Sequence, residues 1–162
     1  MSEVLRLCEV SLDEVRRLLT SIGLEFVCLP PRERIPASYW GAAEAGLRGR
    51  CLYARADTPM HSLLHEASHY ACMSQERRAA LDTDAGGDEL EECAVCVLQV
   101  LLAEQLPGMG KARMLADMDA WGYSFRLGSA RRWWATDAQD GRDWLQAHLD
   151  RLGRCVVPAA AL

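Results

Sequence analysis

The spacing of apolar and polar positions predicts a mostly helical chain with two strands in its first third. Ser11-Leu-Asp-Glu14 has the form of a capping box, and Val15, Leu18, Leu19 and Ile22 follow at helical spacing until Gly23. Residues 24–30 (LEFVCLP) predict a short strand stopped by Pro30-Pro31. Residues 31–46 carry no periodic pattern. In residues 47–55 (LRGRCLYAR) Leu47, Gly49, Cys51 and Tyr53 alternate with Arg48, Arg50, Leu52 and Ala54, which predicts one strand with a partly wet face. Asp57-Thr58-Pro59 is a helix start, with Thr58 as cap and Pro59 at the first helical position. That helix should span 59–73. Further helices are predicted over 75–81, 88–105, 110–120, 130–136 and 140–152. Residues 82–87 (DTDAGG) form a loop, and residues 121–129 a turn-rich link with Ser129 capping the next helix. The apolar tail CVVPAAAL is expected to dock on the body. The order of elements predicts one α+β domain over residues 1–162.

Composition narrows the class only slightly. The chain is 50% hydrophobic and 25% charged, as expected of a globular protein with one core, and its formal net charge is −5. That charge does not favour nucleic acid, and the cluster Arg131-Arg132-Trp133-Trp134 is short enough to be one helix face. No apolar stretch is long enough to span a membrane, and the N-terminus lacks the apolar core of a signal peptide. Seven cysteines at irregular spacing are expected to be reduced core residues of a cytoplasmic protein. Cys93-Ala-Val-Cys96 falls inside a predicted helix after a run of acids, which fits two core thiols better than a redox pair. LPGMGKARM lacks the spacing of a phosphate-binding loop. The five tryptophans are expected to be mostly core or interface anchors.

The candidate chemistry lies in residues 61–70, HSLLHEASHY. On a helix His65 and His69 are one turn apart on one face, so both imidazoles can reach one metal ion. Glu66 projects roughly 100° away around the helix, suited to a water on the metal's open side. This is the H-E-x-x-H arrangement, two zinc ligands and a general base. Leu63, Leu64, Ala67, Tyr70 and Cys72 mark the helix as mostly buried, where unpartnered ionisable groups are costly and a metal removes the cost. The bland alternative is a buried helix whose histidines make ordinary hydrogen bonds. His61 lies too far along the helix to share the ion and is expected to support a ligand or line the mouth.

Two histidines leave zinc incomplete. His148 sits in a routine amphipathic helix, so the third ligand is sought at the acidic start of helix 88–105. Glu91 shares a stripe with Ala94, Val95, Leu98 and Leu102; Glu92 shares one with Cys96, Gln99 and Ala103. A glutamate on the apolar stripe most needs a cation, which favours Glu91 while leaving Glu92 open. The other acid should cap the helix or orient a histidine. Ligand type alone does not choose zinc over nickel or cobalt.

His65-Glu66-Ala67-Ser68-His69, followed by Glu91-Glu92-Cys93-Ala94, resembles the zincin metallopeptidases of the glutamate-ligand type (gluzincins). These carry a third ligand, often within E-x-x-A, on a later helix. Glu91-x-x-Ala94 fits as written, and no Gly and third His follow His69 as in metzincins. The small size resembles the ImmA/IrrE type, although Cys93 after Glu92 departs from its acid-plus-Ala signature. The resemblance covers roughly residues 47–104. It implies a zincin-like fold, a small twisted sheet packed on a mainly helical body, and Zn2+-dependent hydrolysis of a protein or peptide with Glu66 as base. An oxyanion-stabilising residue is also implied, for which Tyr123, Arg126 and Tyr70 are candidates. Strand 47–55 is expected to offer an edge for an extended substrate. A metal-stabilised binding module without turnover is the competing expectation.

Overall fold

The computed structural model describes residues 3–125, 127–153 and 162. They form an α+β structure of seven α-helices and a three-stranded mixed sheet. After a short 3-10 turn, α1 (Leu12–Ile22) starts at Ser11, whose Oγ accepts from Glu14 N, and stops at Gly23, where φ is 96°. Its predicted stripe, Val15, Leu18, Leu19 and Ile22, is buried.

Strand β1 (Glu25–Leu29) follows, then a long irregular segment. The predicted strand 47–55 is in fact a hairpin, β2 (Gly46–Arg48) and β3 (Cys51–Arg55). Gly49 and Arg50 make the turn between the paired residues Arg48 and Cys51, and Gly49 has φ 55°. Uninterrupted alternation hid a two-residue turn that glycine makes cheap. β3 is central, parallel to β1 and antiparallel to β2. The outer side of β2 is already taken: Leu47 N–H donates to the Ala37 carbonyl (3.4 Å), and the Leu47 carbonyl accepts from Thr83 N–H (3.1 Å). The edge expected to receive a substrate strand is therefore covered by the chain itself. Segment 36–38 lies so close that a Cβ at Gly46 would fall 1.8 Å from the Pro36 carbonyl oxygen.

Helix α2 (Met60–Cys72) is the centre of the molecule; every residue except His65 is buried. Pro59 precedes its first turn, but Thr58 does not cap it: the Thr58 hydroxyl accepts from Arg55 N–H (2.9 Å) and closes the end of β3 instead. The short α3 (Gln75–Ala79) is capped by Ser74. Asp88 caps α4 (Glu89–Glu104) through Glu91 N–H (2.8 Å). α4 packs on α2 and on α7 (Gln139–Leu152), with α5 (Lys111–Trp121) and α6 (Ala130–Thr136) closing the bundle. Ser129 caps α6 as expected.

Two expectations about composition hold only in part. Cys72 and Cys96 are buried and Cys51 and Cys93 partly so, but Cys8 and Cys28 are exposed: apolar neighbours in sequence are not neighbours in space. Trp133 is buried, whereas Trp40 and Trp121 are 77% and 47% exposed. Residues 155–161 of the apolar tail lie outside the described residues. No helix among the described residues is long and apolar enough to cross a membrane.

Candidate metal centre

One turn of α2 separates His65 from His69, and their Nε2 atoms approach to 3.1 Å. Both meet the carboxylate of Glu92 at the head of α4, at 3.1 Å from His65 and 3.3 Å from His69. Ligand atoms on a tetrahedral zinc with bonds of about 2.0–2.1 Å stand about 3.3 Å apart. The triangle therefore has the dimensions of a zinc coordination face. No fourth His, Cys, Asp or Glu joins it among the described residues. Three protein ligands and an open position are the pattern of catalytic zinc sites, whereas structural sites are closed by four.

The protonation state points the same way. His65 Nδ1 lies 3.0 Å from Gln99 Oε1. Gln99 is held in that orientation because its Nε2 donates to the His61 carbonyl (2.9 Å), a group that can only accept. His65 Nδ1 must then carry a proton, and although burial works against a second one, the neighbouring Tyr123, Cys96 and Glu92 hold the ring well above its ordinary pKa, so Nε2 also carries a proton towards Glu92, one that a metal would replace. Three electron-rich atoms so close repel one another unless a proton or a cation sits among them. Burial pushes His69 down to about 4, so that ring is neutral and fit to be a ligand. Burial works against the Glu92 carboxylate, but hydrogen bonding and charge from His65 outweigh it and hold Glu92 below its usual range.

Glu91 is not part of this group. It is buried and makes a bidentate pair with Arg77 of α3, 2.9 Å on each oxygen. The expectation that the acid on the apolar stripe needs a cation holds, but the cation is a guanidinium, and Glu91 orients no histidine. Glu92, on the more polar stripe, faces the cleft. His148 stacks on Trp144 (4.7 Å between ring centres) and lies outside the cluster.

Glu66 lines the cleft beside His65, His69 and Glu92. Burial pushes it up to about 7, against the charge of His65. His61 is buried, not at the mouth: its carbonyl holds Gln99, and its Nδ1 lies 3.1 Å from the Tyr123 hydroxyl. That hydroxyl also accepts from Gln99 Nε2 at 3.2 Å. Tyr123 thus reaches the site, joined to His61 and Gln99 behind the His65 ring. Tyr70 does not reach it, since its ring is covered by the Arg78 guanidinium at 4.1 Å. Arg126 lies outside the described residues. Two residues were missed in the sequence, Gln99 and Glu44. Gln99 had a signal, a lone amide in an apolar helix on the stripe of Glu92; Glu44, in the irregular segment, had none.

The cleft has two lobes that meet at His65, Glu66 and Glu92, with Trp40 standing over both. One, of about 430 Å3, is rimmed by Thr83 to Gly87. The other, of about 490 Å3, runs past Glu44, Trp121 and Tyr123.

No protein-family model matches the chain, and neither the curated proteins nor the solved structures compared with it include a match.

Proposed function

We propose that this protein is a zinc-dependent hydrolase of peptide bonds, a small metallopeptidase of the zincin type that acts on a protein or peptide. The observation that carries the proposal is the convergence of His65 Nε2, His69 Nε2 and a Glu92 carboxylate within 3.3 Å, beside an otherwise uncommitted Glu66. Zinc, when bound, polarises a substrate carbonyl and lowers the pKa of water towards neutrality. Gln99 fixes the His65 ring so that the correct nitrogen faces the ion. Glu66 is the base: it takes a proton from the attacking water and returns it to the leaving amine. A carboxyl group that burial sets near 7 is matched to both transfers. A cleft open on two sides of the ligands lets a chain pass across them, as cleavage within a peptide requires.

Elemental analysis of the purified protein should find one zinc per chain, and His69→Ala should lose it. Against a mixture of peptides the zinc-loaded protein should hydrolyse some member, and Glu66→Gln should keep the metal and abolish cleavage. Zinc bound at full occupancy with no cleavage of any peptide would replace the enzyme by a metal-stabilised binding module. No zinc uptake at all would remove both.

A further inference from the structure

The cleft carries more negative charge than hydrolysis needs. Glu44, Glu66 and Glu92 line the larger lobe, Asp84 joins Glu66 and Glu92 in the smaller one, and among the described residues no Lys or Arg lines either. Glu92 and Glu66 have roles in the proposed reaction. Glu44 has none, yet it is held firmly in place. Its backbone N–H donates to the Gly41 carbonyl (3.2 Å), and the next residue, Ala45, donates to Ser62 Oγ on α2 (3.0 Å). Glu44 is only 7% exposed. Its Oε1 accepts the indole N–H of Trp121 (2.8 Å), while its Oε2 is buried with no donor among the described residues. A buried carboxylate oxygen without a donor is costly, and such groups are kept where a partner arrives. Trp40, Trp121 and Tyr123 line the same lobe, and aromatic faces attract cations.

We propose that Glu44 is the anchor of a substrate subsite that selects a cationic group, an ammonium or a guanidinium, with Trp40, Trp121 and Tyr123 as its aromatic walls. The cation completes the hydrogen bonding of Glu44 and offsets the charge of the lobe. It comes from a basic side chain or from the free amino terminus of the peptide, two sources with the same chemistry. This subsite rests on the metallopeptidase reading for its occupant, and its test is independent of turnover.

The test uses zinc-loaded Glu66→Gln protein, which binds peptide without cleaving it. Calorimetry would compare Ala-Ala-Lys-Ala-Ala with the same peptide carrying norleucine in place of lysine, each with a free and an acetylated amino terminus. At least one cationic form should bind tenfold or more tightly than the acetylated norleucine peptide. Retention of the preference after acetylation assigns it to the side chain, and its loss to the amino terminus. Adding Glu44→Gln, which keeps an acceptor for Trp121, should remove the preference with zinc content unchanged. Equal affinity for charged and uncharged peptides, or no binding of any of them at millimolar concentration, overturns the subsite even if Glu44→Gln fails to fold. So does a preference that survives Glu44→Gln. The peptidase reading fails by a different result, zinc-loaded wild-type protein that cleaves nothing.

Discussion

Gln99 offers the most direct test of how the site is held. It is fully buried in α4, and its one acceptor oxygen is committed to His65 Nδ1 at 3.0 Å. Gln99→Met keeps an unbranched chain of similar length and removes that acceptor. Two consequences should be separable. Without metal, the half-buried His65 N–H loses its partner, which costs about 1 kcal/mol of stability. With metal, the imidazole is no longer held in the tautomer and orientation that point Nε2 at the ion. Loss of such an outer partner typically lowers metal affinity about 10–100-fold, or about 1.4–2.7 kcal/mol. Competition against a chromophoric chelator measures the second quantity, and denaturation of the metal-free protein the first. Gln99→Glu is the informative control. It still offers His65 an acceptor but sets an oxygen where an amide donated to the His61 carbonyl at 2.9 Å, so it should keep most zinc affinity and lose metal-free stability. A Gln99→Met protein that is less stable yet binds zinc within twofold of wild type would refute the role assigned here, leaving Gln99 a packing residue.

Three further outcomes follow from the geometry. Glu92→Ala should lose zinc, while Glu91→Ala and Arg77→Ala should keep it and lower stability by about 1–3 kcal/mol through loss of a charged hydrogen-bond pair, read by elemental analysis and urea denaturation. Gly141→Ala would put a Cβ 2.7 Å from Cys93 Sγ and 3.1 Å from the Cys93 backbone. Overpacking of about 1–3 kcal/mol should exceed the helix-propensity gain of about 1 kcal/mol, and adding Cys93→Ala should recover part of the net loss in Tm. His61, pushed down to about 3 by burial, stays neutral in the folded protein while the unfolded chain protonates it near 6.5. Its contribution is complete above 6.5 and is lost as pH falls towards 3, about 1.4 kcal/mol per unit, so His61→Leu should flatten the decline in metal-free stability between pH 6.5 and 5 by one proton.

Four of the helices carried their own punctuation. Ser11, Ser74, Asp88 and Ser129 cap where a short polar residue precedes an apolar stripe, and Gly23 turns the chain through a left-handed conformation. The sheet was less legible because strand order is not a local property. Residues 47–55 alternate without a break, and only a glycine between two arginines marked the hairpin. Thr58 shows the same limit: next to Pro59 it has the form of a helix cap, but its hydroxyl serves the strand that ends three residues earlier. Whether a hydroxyl serves the helix ahead or the strand behind depends on the path of the chain between them.

At the site, the pair His65 and His69 was legible because a single helix fixes their relation, whereas the carboxylate that joins them depends on how two helices meet. A carboxylate on the buried face of α4 needs a positive partner, and that part of the reasoning is sound. The error lay in taking the metal as the only cation within reach. Arg77 lies on α3, which follows α2 and precedes α4 in the chain, and its guanidinium matches Glu91 with two parallel hydrogen bonds. Once Arg77 has taken the more buried acid, the histidine pair is left to Glu92, whose more polar stripe also carries Gln99 two turns further on. In the proposed site, a ligand and the residue that orients the opposite ligand thus share one face of α4. For the proposed site, the better sequence signal for a third ligand is therefore a polar partner seven residues along the same helix, not apolar neighbours, since a metal ligand must face a cleft while a buried ion pair need not.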